Sequence, residues 1–251
     1  MTPGTRGSIA LAGQDAAALP FVAEMYGLQL DHLQVLLAIT LRQARALVAR
    51  WAGSGLAESA TLSPGPTWVW LTRTGLQAVG APYAAAPPAL PRLAHIRAVG
   101  AVRLALEALP AYRDASAFWR SERHLRSRLG GRVGGRDHLP DAEVHWPDAP
   151  ERGPGPAWAG ECWAIEAELT PKTVTRTTAI MREVLTRTGD YGCPATRARV
   201  PGEPPRHARV VYLCSPAATG TVSRARDALG DLGARVEIRA LPASAFLAEA
   251  R

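Results

Sequence analysis

The sequence predicts a mixed α/β (α+β) chain of two domains. A small helical domain spans 17–80 and a larger one spans 92–251. Three observations predict this. Apolar residues recur at helical spacing through 31–51 and give way to an aromatic strand at 68–71. Residues 81–91, APYAAAPPALP, place four prolines in eleven positions, which removes amide donors and marks a linker. Beyond them, segments of period two alternate with helical ones.

Length and composition bound the function. With 251 residues and 47% hydrophobic content, the chain can bury real cores. Ala, Arg, Gly and Pro dominate, a bias that a GC-rich genome also produces. The net charge of +7 favours a polyanionic partner, nucleic acid first. Cys162, Cys193 and Cys214 form no CxxC pair and are odd in number, which argues against a disulfide framework or zinc module. No basic-then-apolar leader opens the chain, and no apolar run approaches the roughly 20 residues that span a bilayer. The expectation is a cytoplasmic protein with no membrane partner.

In the first domain, a helical region covers about 17–51. Asp31 is a candidate N-cap for DHLQVLLAIT, with Leu33, Leu36 and Leu37 at helical spacing. Thr40 can cap the next helix, whose apolar face is Leu41, Ala44, Leu47, Val48 and Trp51. Gly53 and Gly55 end it. A Ser-Pro-Gly-Pro turn then precedes the strand Trp68–Leu71, and Thr72 is placed to cap a further helix. This order, with WVWLTRTG at its end, resembles a winged helix-turn-helix. The resemblance implies that the helix at 40–52 reads duplex DNA, with Arg42, Gln43, Arg45 and Arg50 facing the groove or phosphates.

The second domain carries its acids in a pattern. In CWAIEAEL, period two sends Trp163, Ile165, Ala167 and Leu169 one way and Glu166 and Glu168 the other. Two neighbouring carboxylates on one face repel unless something positive lies between them. Lys172, the only lysine in the chain, stands just past this strand. In HLPDAEVHW, Ala142, Val144 and Trp146 face one side and Asp141, Glu143 and His145 the other. A hairpin of the two strands brings Asp141 close to Glu166 and Glu168. DASAFWRSERHLRSRL, 114–129, reads as a helix capped by Asp114, with Glu122 on the apolar stripe of Phe118, Leu125 and Leu129. Arg126 at i+4 is its local ion-pair candidate. A helix at 174–189, a strand at 207–216, a helix at 219–233 and a strand at 234–241 complete the reading. The breaker-rich stretches 147–156 and 192–206 read as loops, and GRVGGRDH as a basic loop near the acids.

This arrangement resembles the PD-(D/E)xK nuclease superfamily, whose αβββαβ core is a helix, a β-meander, a helix and a further strand. The resemblance matches Pro140-Asp141 to the PD, Glu166 to the D/E and Glu122 to the acid of the first core helix. Glu168 stands where lysine usually does, and Lys172 is placed to take the lysine's role. It implies Mg2+ held by Asp141 and Glu166, with Asp141, Glu166, Glu168, Lys172 and Glu122 as catalytic residues in phosphodiester hydrolysis. Lysine offers a compact, mobile charge that arginine's planar fork does not. The winged helix, the proline-rich joint and LPDA…WAIEAELTPKT together resemble the replication-relaxation proteins of actinobacterial plasmids and integrative elements. That resemblance implies double-stranded DNA as partner, with a homodimer left open. Two other readings stand beside it: a non-catalytic replication or partition factor, and a winged-helix regulator with an inert nuclease fold.

Overall fold

The computed structural model describes residues 13–128, 138–148, 158–189 and 204–242. Contacts separate them into two units that meet in sequence at Arg97 and Ala98. The first runs α1 (Gln14–Glu24), β1 (Leu28–Gln29), α2 (Leu30–Leu37), α3 (Leu41–Gly53), β2 (Ala57–Ala60), β3 (Trp68–Leu71) and α4 (Arg73–Ala78). Its sheet has the order β1-β3-β2, antiparallel throughout. All four residues of β3 are buried. β1 and β2 escape the sequence pattern because they are short, and the AESA of β2 has no β-branched or aromatic residue.

Thr40 caps α3 as its sequence implies. Its hydroxyl accepts from the Gln43 N–H at 3.3 Å, and Gln43 Oε1 accepts from the Thr40 N–H at 2.8 Å, a full capping box. Thr72 caps α4 by accepting from the Gly75 N–H at 3.1 Å. A Cβ at Gly75 would stand 2.0 Å from the Leu56 carbonyl oxygen, so glycine is what lets α4 approach that backbone.

Asp31 has a different role from the cap expected of it. α2 begins one residue earlier, and the Asp31 carboxylate accepts from Arg97 Nη2 at 2.6 Å and Nη1 at 3.0 Å. Gln29 Oε1 also accepts from Arg97. The Arg97 side chain is 2% exposed, and a buried guanidinium must find acceptors. The proline-rich 81–91 stretch packs within the first unit, where the Tyr83 hydroxyl donates to Glu24 Oε1 at 2.6 Å. The boundary between units falls instead inside α5 (Leu93–Glu107).

The second unit continues with α6 (Pro110–Asp114), β4 (Phe118–Ser121), α7 (Glu122–Arg128), β5 (Ala142–His145) and β6 (Cys162–Glu168). After these come α8 (Val174–Thr186), β7 (Arg209–Cys214), α9 (Pro216–Asp227) and β8 (Val236–Ala240). Five strands lie in the order β4-β5-β6-β7-β8. The first three pair antiparallel, and β7 and β8 follow β6 in parallel. Ala164, Val210, Tyr212 and Cys214 pack on one face against Met181, Val184 and Leu185 of α8 and Ala218, Val222 and Ala225 of α9. The other face carries a cluster of Tyr112, Trp146, Trp158 and Trp163, with ring centroids 4.9–6.0 Å apart.

Residues 114–129 are not one helix. Asp114 ends α6, Ser116 turns the chain at φ +52°, and 118–121 pairs with β5 as an edge strand. Tertiary pairing overrides the helical pattern here, because Phe118 and Trp119 suit a pleated surface. Ser121 Oγ then accepts from the His124 N–H at 3.1 Å and starts α7. The helix expected at 219–233 starts earlier, at Pro216, where Ser215 caps it, and ends at Asp227. Leu129, Cys193 and most of the basic loop at 131–138 and the breaker-rich loops at 147–156 and 192–206 lie outside the described residues. No helix among the described residues is long and apolar enough to cross a membrane.

Burial pushes the Asp31 carboxyl up, but the Arg97 guanidinium outweighs it and holds Asp31 below its ordinary 3.8. Asp31→Asn removes the charge at constant size. It should cost about 2 kcal/mol at neutral pH, less than a fully buried pair because Asp31 is one-third exposed. A depressed folded value means this stability is complete above the ordinary value and is lost as pH falls through the folded one. Urea denaturation should therefore show wild type losing more stability than the variant on acidification.

Candidate functional site

The β5–β6 register assembles a polar row on the α8 side of the sheet. Ala142 lies opposite Ile165, Glu143 opposite Ala164 and His145 opposite Cys162. Opposed residues share a face, so His145, Glu143, Cys162, Glu166 and Glu168 all point the same way. Asp141 extends the row by one step. Its Oδ2 accepts from the Ala167 N–H at 2.8 Å, and its backbone carbonyl accepts from the Glu122 N–H at 2.8 Å. The carboxylate thus supplies the next rung of a ladder whose backbone pairing stops at Ala142.

Three of the expected site residues converge at one end of this row, and Lys172 joins them. Glu166 and Glu168 are each 6% exposed. His138 Nε2 lies 2.5 Å from Glu166 Oε1, and the His138 N–H donates to Glu183 Oε1 of α8 at 3.0 Å. Burial pushes the Glu166 carboxyl up, His138 pulls it back, and the charge on Asp141 pushes it up again. Burial also works against charge on His138, but the Glu166 carboxylate outweighs this and holds the imidazole above its ordinary value. Lys172 donates to Glu168 Oε2, four residues back across the strand end. Tyr212 of β7 lies beside Glu166 in register. Its hydroxyl is held well above its ordinary value by burial first and then by Glu166, Glu168 and Asp141.

The Glu122 carboxylate has a partner on its own helix. That carboxylate accepts from Arg126 at 2.5 Å, the i+4 partner available in the sequence. α7 starts at Glu122, and the Glu122 N–H donates to the Asp141 carbonyl.

The other end of the row is built around Glu143, which is fully buried. Arg206 grips it bidentately, Nε to Oε1 at 2.6 Å and Nη2 to Oε2 at 2.9 Å. His207 Nε2 lies 2.9 Å from Oε1, with its Nδ1 3.2 Å from the Val184 carbonyl. His145 Nε2 lies 2.9 Å from Oε2 and 3.6 Å from Cys162 Sγ. Burial opposes the charge on Glu143, but His145, His207 and Arg206 together hold the carboxyl far below its usual range. Burial, aided by Glu143, pushes the Cys162 thiol up to about 12. Cys162 and Cys214 are both free thiols.

Sequence reasoning found Asp141, Glu166, Glu168 and Lys172 but missed His138, Glu183, Arg206, His207 and Tyr212 as neighbours. The alternation of β5 had placed Glu143 and His145 on the acid face. Nothing in spacing ties Arg206 to Glu143, since the contact spans 63 positions.

In the first unit, Arg42, Gln43, Arg45 and Arg50 are all exposed on α3. Arg50 is committed to α1, where its guanidinium pairs bidentately with Asp15 at 2.7 and 2.9 Å beside Trp51 Nε1. The Gln43 carbonyl oxygen is spent on the capping box.

No family model matches the chain, and no curated protein matches it. Among solved structures, a match is found to an O-methyltransferase family 2 protein from Planctomyces limnophilus, crystallised with apigenin. It is 16% identical and covers 91% of this chain and 62% of that one, at a TM-score of 0.20. So low a score carries no argument about fold or activity.

Arg206→Met tests the Glu143 hub. It leaves a buried carboxylate without its main counter-charge and should cost about 3–5 kcal/mol of unfolding free energy. Arg209→Met, at a half-exposed pair with Glu161, is the control and should cost about 1 kcal/mol or less. Chemical denaturation of the two variants measures the difference.

Proposed function

We propose that the chain is a DNA-binding protein with a winged-helix first unit and a nuclease-like second unit of the PD-(D/E)xK kind. Its role on this reading is replication, relaxation or mobilisation of a plasmid or integrative element. The observation that carries the reading is the gathering of Asp141, Glu166 and Glu168 on one sheet face, with Lys172 bonded to Glu168. The order of elements supports it: helices, three antiparallel strands, the helix α8, and then β7 parallel to β6. In the first unit, support comes from three helices followed by the β2–β3 hairpin, with Arg42 and Arg45 exposed on α3.

The donor set fits a hard divalent cation. Asp141 and Glu166 offer oxygens, and burial plus mutual repulsion raises Glu166, a cost that a cation relieves. These two residues would hold Mg2+, which supplies activation of water and stabilisation of phosphate charge when bound. Glu168 keeps the Lys172 ammonium at the strand end, where a compact cation can meet a phosphate oxygen. His138 holds a proton at Nε2 against Glu166 Oε1 and is anchored to α8 through Glu183. Arg42 and Arg45 supply phosphate contacts from α3.

A plasmid-nicking assay tests the catalytic half. Supercoiled DNA is incubated with wild type, Asp141→Asn and Lys172→Ala in Mg2+, Mn2+ or EDTA. Asn keeps an oxygen for the Ala167 N–H, so the hairpin survives. Metal-dependent relaxation should fall about 100-fold or more in each variant. Wild type that binds DNA but never relaxes it would overturn the nuclease reading in favour of an inert scaffold.

The DNA half is tested separately. Arg42→Ala with Arg45→Ala should weaken duplex binding at least ~10-fold at low salt and reduce the slope of log K against log salt by roughly 2. An unchanged slope in a fluorescence-anisotropy titration would remove α3 from the interface.

A further inference from the structure

Beyond the acids, toward the other end of the row, the same sheet face carries a different set of donors. Glu143, His145 and Cys162 bring a carboxylate oxygen, an imidazole nitrogen and a sulfur to lie within 4.8 Å of one another. Their positions are fixed by backbone pairing. His145 and Cys162 are direct cross-strand partners, and Glu143 is the next residue of β5 on that face. The ring plane of His145 is fixed too, since Phe118 of β4 stacks on it at 4.8 Å and 3°.

The contacts are wrong for a nucleophile–base–acid relay. In such a relay one ring nitrogen faces the thiol and the other faces the carboxylate. Here a single atom, His145 Nε2, faces both Glu143 Oε2 and Cys162 Sγ. A carboxylate oxygen and a sulfur thus gather around one ring nitrogen, the donor set of a chelate. We infer that Glu143, His145 and Cys162 form a site for one zinc ion, with a fourth position open to water.

The distances agree with that geometry. Zn–S near 2.3 Å and Zn–N near 2.05 Å put the two atoms of a tetrahedral pair about 3.6 Å apart. The Cys162 Sγ to His145 Nε2 separation is 3.6 Å. A nitrogen–oxygen pair needs about 3.3 Å, so the 2.9 Å between His145 and Glu143 opens by a few tenths. The mixture of sulfur and nitrogen selects zinc over magnesium. Arg206 and His207 bind Glu143 and fix the carboxylate's orientation, as outer partners of metal ligands do. On binding, the Cys162 S–H bond breaks, the proton leaves to solvent, and the sulfur lone pair forms the bond to zinc. The Nε2 proton that His145 donates to Glu143 also leaves to solvent, the ring keeps a proton on Nδ1, and the freed Nε2 lone pair binds zinc.

The full-length protein is stripped with a chelator, reloaded with Zn2+ or Co2+, and gel-filtered. One zinc per chain should be retained by elemental analysis, and the cobalt form should show a near-ultraviolet sulfur-to-metal charge-transfer band. Cys162→Ser should abolish that band while leaving the far-ultraviolet circular dichroism unchanged. Cys193→Ser should keep the band. His145→Ala should weaken zinc at least ~10-fold. Asp141→Asn should retain zinc in full, which separates this site from the acids at the other end of the face. No retained zinc in wild type, a band that survives Cys162→Ser, or zinc lost in Asp141→Asn would each overturn the assignment.

Discussion

The antiparallel register that sets Ala142 against Ile165 decides which side chains meet beneath α8. Strand side chains alternate, so a slip of β5 by one residue against β6 would send Asp141, Glu143 and His145 to the opposite face and bring Ala142, Val144 and Trp146 under the helix. Neither arrangement could be buried the other way round. Trp163 packs in the indole cluster on the far face, where Trp146 and Trp158 need it. The hydrophobic demand of that cluster and the polar demand of the α8 face therefore enforce the same register. Asp141 tightens it further by capping the ladder through the Ala167 amide.

Burying so many ionisable groups under one helix requires local compensation, and the two ends of the row achieve it differently. At Glu143 compensation is complete: every oxygen is engaged, and the carboxyl is held ionised. At Glu166 it is partial, because burial raises the carboxyl more than His138 lowers it, and Asp141 adds repulsion. A fully compensated carboxylate is held ionised and oriented, whereas a partly compensated one still gains by taking a cation or a proton. The two ends of the row thus differ in electrostatic completeness: Glu143 is fixed as an oriented anion, and Glu166 is not.

Much of this was legible in the sequence because strands announce themselves by period two. HLPDAEVHW and CWAIEAEL each divided their residues between the two faces, and the structure keeps those divisions. α3 and α4 were legible through Thr40 and Thr72, whose capping bonds reach only three residues along the chain. What failed was long-range. Asp31 reads as a cap until Arg97 is known to be buried beside it. Phe118–Ser121 reads as helix until β5 is there to pair with it. Arg206 ends a stretch whose composition says only loop, His207 opens the next strand reading, and their purpose exists only once Glu143 is buried. Local patterns report local energies, and these residues act through partners far along the chain.

The lone lysine can now be placed in physical terms. Lys172 follows Glu168 by four residues but lies past the strand end, so the pair forms across a turn rather than along a helix. A guanidinium there would tend to grip the carboxylate with two bonds, as Arg206 grips Glu143. It would then be held fast in a planar fork. An ammonium makes one bond to Glu168 and keeps two further donors on a side chain one-third exposed. In a chain that answers nearly every other demand for positive charge with arginine, this is the position where a bidentate grip would immobilise the cation and a single bond leaves it able to serve a second oxygen.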